Sequence, residues 1–370
     1  MVYINMKEAQ ILIISPEPWN EHFVSKHHYA ITLAKQGIKV FFLNPPDNRV
    51  SDIDISDTKY KNLKSITSPN VAKGLRFYPK VLRIYREQKW LEKLEKRIGQ
   101  KFNTIWLFEN SRFYDMGFAG TRLKIYHQVD SNQIFHQKVA SSSADINFCT
   151  TEYIHKELCL NNQKTFKISH GINMSIDKMS LTDNQKKRFL MTSKNIAYIG
   201  NLDMKYIHEE LLHELVLNYP NSTFHFIGAY SKNANLYILC GGLKNIIWWG
   251  KVESSLIINI LEYIDITLLL YRAEEYKEQL ASPHKILEYL YSTKVTVATY
   301  TDEYKDKRHL LEMVDSSDEY LEKFQEVIEN LAFYNSKEKQ AKRRAFAKEH
   351  SYEKQLEKIF KYLKCYNIRL

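Results

Sequence analysis

Residues 10–46 read QILIISPEPWNEHFVSKHHYAITLAKQGIKVFFLNPP. Ile11 to Ile14 is a short continuous apolar run, the pattern of a strand buried on both faces. A polar loop, Pro16 to Ser25, follows. From His27 to Gln36 the apolar residues Tyr29, Ala30, Leu33 and Ala34 recur at helical spacing, and Gly37 closes the helix as a C-cap. Ile38 to Leu43 is a second apolar run, stopped by Asn44-Pro45-Pro46. Strand, helix and strand within one such stretch form a βαβ unit, and a βαβ unit implies a parallel sheet.

The pattern continues outward. Thr104–Phe108, Leu123–Tyr126, Ala144–Cys149 and Phe166–Ser169 are further short apolar runs. After Gly171 the chain turns polar and basic as far as Lys194. A second series then begins, with strands expected at Asn195–Ile199, Thr223–Ile227, Asn245–Trp249, Ile264–Leu270 and Lys294–Thr299. Helices are expected between them at Leu211–Leu217, Leu256–Tyr263 and Pro283–Tyr291. The division expected is an N-terminal domain over 1–172, a linker over 173–194, a C-terminal domain over 195–345, and a basic helix over 346–370 packing back across the domains. Three strands of the second series end in aromatic-x-Gly, at Gly200, Gly228 and Gly250. Such glycines serve either a turn with positive φ or the close approach of a ligand to the carboxyl edge of a sheet.

The chain has 370 residues, enough for two buried cores. Lys and Arg number 53 against 43 acids, a net charge of +10 that favours an anionic partner. No apolar run reaches the ~18 residues needed to span a bilayer, and no signal peptide is evident. Cys149, Cys159, Cys240 and Cys365 have no C-x-x-C spacing and read as reduced thiols of a cytoplasmic protein. Walker A, G-x-G-x-x-G and G-x-S-x-G sequences are all absent.

The sharpest segment is Ala281-Ser282-Pro283-His284-Lys285-Ile286-Leu287-Glu288-Tyr289-Leu290. Serine at the N-cap and proline at the first helical position make a helix start, whose free N–H groups and dipole suit a phosphate. Lys285 adds a full charge there, and Glu288, one turn on, could accept two hydroxyls of a ribose. The other reading is a surface i,i+3 salt bridge, worth a few tenths of a kcal/mol.

Taken with Tyr198-Ile199-Gly200-Asn201, Phe226-Ile227-Gly228, Trp249-Gly250-Lys251-Val252 and Ile264-to-Tyr271, this segment resembles the GT-B glycosyltransferases. More narrowly, it resembles the family 4-like and glucuronosyltransferase-like enzymes that build bacterial surface polysaccharides from sugar nucleotides. The resemblance covers most of residues 195–300. It extends more weakly through Leu123–Asp130, Ala144–Thr151 and Ser169–Asn173. It implies an α/β protein of two Rossmann-like domains with parallel sheets facing across a cleft, the second holding the sugar nucleotide and the first the acceptor. Glu288 would then bind the ribose, and Lys285 with Ser282, Pro283 and His284 the diphosphate. Gly250, Lys251 and Val252 would frame the base, with Gly200, Asn201 and Tyr271 beside the phosphates. His127 or Asp130, in Tyr126-His127-Gln128-Val129-Asp130, would stand near the reacting sugar. The implied donor is a nucleoside diphosphate sugar, uridine favoured over guanosine, with no cofactor and no metal. The acceptor is a saccharide or lipid-linked saccharide. The sequence departs from the pattern at Leu280, where many retaining members have glutamate, and at Thr293 and Val295, where glycine and proline are usual. Glu278 is the nearby carboxylate that could stand in.

Other features are weaker. Asp52-Ile53-Asp54 has an Asp-x-Asp form but lacks a preceding strand, and His22, His27 and His28 lack metal-ligand spacing. Lys73 to Lys101 interleaves basic with aromatic and aliphatic residues. It reads either as an amphipathic helix packed on its domain or as a surface for an anionic membrane. Nucleic acid is not expected, since no recognised module accompanies the charge. Two rivals to transfer remain: a sugar-nucleotide epimerase of the same fold, and a non-catalytic basic protein binding membrane or polyanion.

Overall fold

A computed structural model describes residues 9–19, 23–131, 133, 135–174, 180–189 and 194–368. They form two compact units, 1–170 with 352–370, and 171–351.

The first unit runs β1 (Gln10–Ile14), α1 (Ser25–Lys35), β2 (Lys39–Leu43), β3 (Asp54–Asp57), β4 (Leu63–Thr67), α2 (Lys80–Ile98), β5 (Thr104–Leu107), β6 (Leu123–Gln128), α3 (Gln137–Ser143), β7 (Ile146–Cys149), α4 (Glu152–Cys159) and β8 (Thr165–Lys167). Its sheet has the order β3-β4-β2-β1-β5-β6-β7-β8. All neighbours are parallel except β3 on β4. Alternate residues of β1 enter different cores: Ile11 and Ile13 pack with Tyr29 and Phe42, Leu12 and Ile14 with Trp90 and Leu91. A strand covered on both faces must be apolar throughout, which is why the run in β1 does not alternate.

The second unit runs α5 (Asp183–Lys186), β9 (Asn195–Ile199), α6 (Glu209–Asn218), β10 (Thr223–Ile227), α7 (Asn235–Cys240), β11 (Ile246–Gly250), α8 (Ser254–Glu262), β12 (Ile266–Leu269), α9 (Lys285–Ser292), β13 (Val295–Ala298), β14 (Glu312–Met313), α10 (Tyr320–Glu329), α11 (Leu331–Tyr334) and α12 (Lys337–Lys348). Its sheet, β11-β10-β9-β12-β13-β14, is parallel throughout. The strand order reverses between β9 and β12, and open parallel sheets bind ligands at the carboxyl edge beside such a reversal.

Three expectations change. The polar stretch read as a linker belongs, where described, to the second unit: Leu181 and Phe189 are buried among Ala197, Ile199, Ile227 and Ile260. Residues 175–179 and 190–193 of that stretch lie outside the described residues. The single basic helix expected over 346–370 is two helices, α12 and α13 (Tyr352–Cys365). The chain leaves the second unit at Ser351, and α13 lays Tyr352, Leu356, Ile359 and Leu363 into the first unit's core beside Ile11 and Ile13.

Candidate functional site

The carboxyl ends of β9, β10 and β11 are tied by their glycines. Gly200 N–H donates to the Ile227 carbonyl at 2.8 Å, and Gly228 N–H to the Gly250 carbonyl at 2.9 Å. Gly228 has φ 144°, and a Cβ there would lie 1.6 Å from the Gly200 carbonyl oxygen. No side chain fits, so this glycine is required by the approach of two backbones.

α9 reaches this edge. A Cβ at Gly200 would lie 3.3 Å from Lys285 Cε and 3.1 Å from the Tyr198 hydroxyl. Lys285, Gly200 and Tyr198 are therefore brought together. Tyr271, just past β12, is buried with its ring edge-on to Tyr198 at 6.4 Å, and its N–H donates to Thr299 Oγ1 at 3.0 Å. Glu288 is half-buried one turn along α9. Burial pushes its carboxyl above the usual range, opposed by the Lys285 charge. Among the described residues no N···O contact within 4 Å joins Lys285 to Glu288, so the two interact through their charges without a direct ion pair.

The start of α9 differs from the expected one. Pro283 and His284 form a tight turn in which their carbonyls accept from Ile286 at 3.2 Å and Leu287 at 3.1 Å, a 3₁₀-type opening. Ser282 does not cap the helix: the N-cap position is His284, with helical dihedrals and no side chain accepting from the first turn. Ser282 and Pro283 are half-buried, and His284 is exposed.

Two anchors of α9 carry no motif signal. β12 pairs with β9 only through Ile196 and Ala197, so the Ile199 N–H has no strand partner on that side. It donates instead to the Tyr289 hydroxyl at 3.0 Å. At the other end Thr293 takes φ 73°, and the buried Arg343 guanidinium donates to the Thr293 carbonyl at 3.0 Å. A tyrosine inside an apolar helix face and an arginine in a basic helix look like packing and solvation in sequence alone.

The remaining residues divide. Asn201 is exposed, its side chain accepting from the Asp203 N–H. Lys251 is exposed beyond Gly250, whereas Val252 packs on the core of Leu256 and Ile260. Leu280 is buried in the core with Ile286 and Leu290, and Glu278 is exposed.

In the first unit β6 runs two residues further than its apolar run. His127 is only 1 % exposed, stacked on Phe108 at 4.9 Å and Trp106 at 6.0 Å. Burial lowers its pKa to about 3. It is a neutral histidine enclosed by Tyr29, Trp106 and Phe108. Asp130 is exposed in the turn that follows. Gln128 Nε2 donates to the carbonyls of Asp130 at 3.1 Å and Gln133 at 3.2 Å, and Asn110 Nδ2 also donates to Gln133 at 2.6 Å. Asp52 is occupied elsewhere, paired with Lys93 at 2.7 Å and Arg97 at 2.9 Å. His27 and His28 lie on α1, and His22 is outside the described residues.

No family model matches the chain. It is 24% identical over 229 residues to TuaH of Bacillus subtilis (strain 168), a protein named for glycosyl transfer in teichuronic acid biosynthesis. The match takes in 54% of this chain and 57% of TuaH, so the chain spans little more than half the length of that curated relative. Among solved structures, sucrose-phosphate synthase from Thermosynechococcus elongatus superposes with a TM-score of 0.71 at 12% identity, over 97% of this chain and all (100%) of the synthase. Anabaena HepE, solved in complex with UDP and glucose, superposes with a TM-score of 0.69 at 13% identity, over 97% of this chain and 100% of HepE. With two parallel-sheet α/β units of this strand order and these neighbours, the chain has the GT-B fold of glycosyltransferases.

Proposed function

We propose that the chain is a glycosyltransferase, moving a sugar from a nucleoside diphosphate sugar onto a saccharide or lipid-linked saccharide in cell-surface polysaccharide synthesis. The observation that carries this reading is Lys285 lying against Gly200 at the strand-order reversal, with Glu288 one turn on. A lysine beside a glycine edge suits a diphosphate. A half-buried carboxylate one turn along suits the ribose hydroxyls. Uridine is the favoured base. Departure of the diphosphate would be assisted by the Lys285 ammonium and the N-terminal end of α9. Asp130, exposed after β6, is the acidic group assigned to the acceptor side, and His127 lies in the strand that carries it.

The test is incubation with UDP- and GDP-sugars, with and without saccharide and lipid-linked acceptors, in EDTA. UDP release coupled to a lengthened acceptor is expected. A new sugar nucleotide from donor alone would identify an epimerase instead. Turnover that is lost in EDTA and restored by manganese or magnesium would contradict transfer without a metal.

A further inference from the structure

The first half of α2 is inside out. Beside Ile84, which packs on the core, its inward residues are ionisable: Arg83 is buried and Glu87 is 1 % exposed. Several of its outward residues are apolar: Val81 is 81 % exposed, Tyr85 52 %, and Phe77 in the turn before it 76 %. Leu82 is exposed beside them. Burying Arg83 and Glu87 costs desolvation, and leaving Val81 and Tyr85 in water forfeits hydrophobic stabilisation. A helix that breaks the inside–outside rule in both directions marks a surface kept for something other than folding.

The inward charges hold a loop. Arg83 Nη1 donates to the Tyr114 hydroxyl at 2.6 Å and its guanidinium lies over that ring at 4.3 Å. Tyr114 stacks on His136 at 3.6 Å. His136 ends the loop that begins at Asp130, and Phe135 within it is 76 % exposed. The outward face carries one sign of charge. Lys73, Arg76, Lys80, Arg86 and Lys89 are exposed, and the only acid between residues 71 and 89, Glu87, is buried. Lys80 reaches Asp115 and Lys89 reaches Glu92, leaving the Arg76 and Arg86 guanidinium groups without a carboxylate partner among the described residues.

Apolar side chains ringed by basic ones, on a helix lying flat against its domain, match the headgroup region of an anionic bilayer. We propose that Phe77, Val81, Leu82 and Tyr85 insert into an anionic membrane surface, with Arg76 and Arg86 on its headgroups. Through Arg83, Tyr114 and His136 the same surface steadies the Asp130 loop for an acceptor carried on lipid. The last clause rests on the transferase reading; the membrane contact does not.

The test is sedimentation with vesicles of phosphatidylglycerol and phosphatidylcholine, and with phosphatidylcholine alone, in 50 and 300 mM salt. Folding of each variant is checked by its thermal midpoint, and UDP affinity is measured separately. The intact chain is expected to partition onto anionic vesicles only, and less at high salt. Arg76→Glu with Arg86→Glu should weaken partition by roughly 30-fold or more. Val81→Asp should weaken it comparably, with UDP affinity unchanged in both variants. Equal partition of all three proteins would overturn the proposal. So would concentration-dependent dimerisation abolished by Val81→Asp, because the face would then serve a second copy. UDP affinity without partition overturns this surface alone. Partition without UDP affinity supports the surface and overturns the transferase reading.

Discussion

Tyr289 shows how one hydroxyl places the candidate site. β9 and β12 part after Ala197, and the buried Ile199 N–H would be left without an acceptor. The Tyr289 oxygen supplies one and fixes α9 so that Lys285 meets Gly200. Tyr289→Phe keeps the ring and leaves the N–H buried and unmatched, at a cost of about 1–3 kcal/mol. Urea unfolding should show that loss, and UDP affinity should fall with it as Lys285 shifts. A variant within ~0.3 kcal/mol of the parent would mean that water reaches Ile199. Thr293 is the opposite case. Its left-handed backbone costs a β-branched residue about 1–2 kcal/mol, offset by the charge-assisted bond from Arg343. A glycine at that position would need no such support.

At the scale of elements, α1 and β6 hold three neutral imidazoles, His27 and His127 buried and His28 half-buried. Burial lowers His27 to about 4, although the Pro18 carbonyl opposes it, and lowers His28 to about 4. His127 lies near 3 for the same reason. Their folded pKa values lie below the unfolded value of about 6.5, so the unfolded chain binds more protons between pH 4 and 6.5. The stability they contribute is complete above that window and is lost as pH falls through it. Glu87 acts oppositely: burial raises it to about 7, so lower pH favours the fold through that group. Three groups outweigh one, and the first unit should lose about 3 kcal/mol between pH 7 and pH 5. Urea midpoints across that range should fall, and His28→Gln should flatten the slope. A flat profile in the parent would contradict these burials. These same elements show where sequence reading stops. The run Leu123–Tyr126 ends at His127 in sequence because histidine and glutamine look polar. β6 continues because His127 stacks on Phe108 and Gln128 bonds the Asp130 turn. Ser282-Pro283 correctly signals a helix, but the turn tightens and the helix begins at Lys285. β3 and β4 form a polar edge pair with too few apolar residues to signal a strand.

For the whole molecule, both parallel sheets were legible because a strand covered on two faces must be apolar throughout. The division between units was not. A polar run looks like a linker whether or not Leu181 and Phe189 are buried, and an amphipathic tail does not reveal which core α13 covers. Nor does sequence reveal that α2 turns Arg83 inward and Val81 outward, because that depends on what Tyr114 and Asp115 bring against it. Lys285 and Glu288 lie one turn apart at the carboxyl edge of the second sheet, Lys285 against Gly200. The most direct measurement is calorimetric titration of UDP, uridine and 2′-deoxy-UDP into the parent, Lys285→Ala and Glu288→Ala. Each lost charge-assisted bond is worth about 1.5–3 kcal/mol, so either variant should bind UDP roughly 10- to 150-fold more weakly. Lys285→Ala should narrow the gap between UDP and uridine, and Glu288→Ala the gap between UDP and its 2′-deoxy form. Parent-like affinity in both folded variants, or no UDP binding by the parent, would contradict the assignment of this edge to a nucleotide sugar.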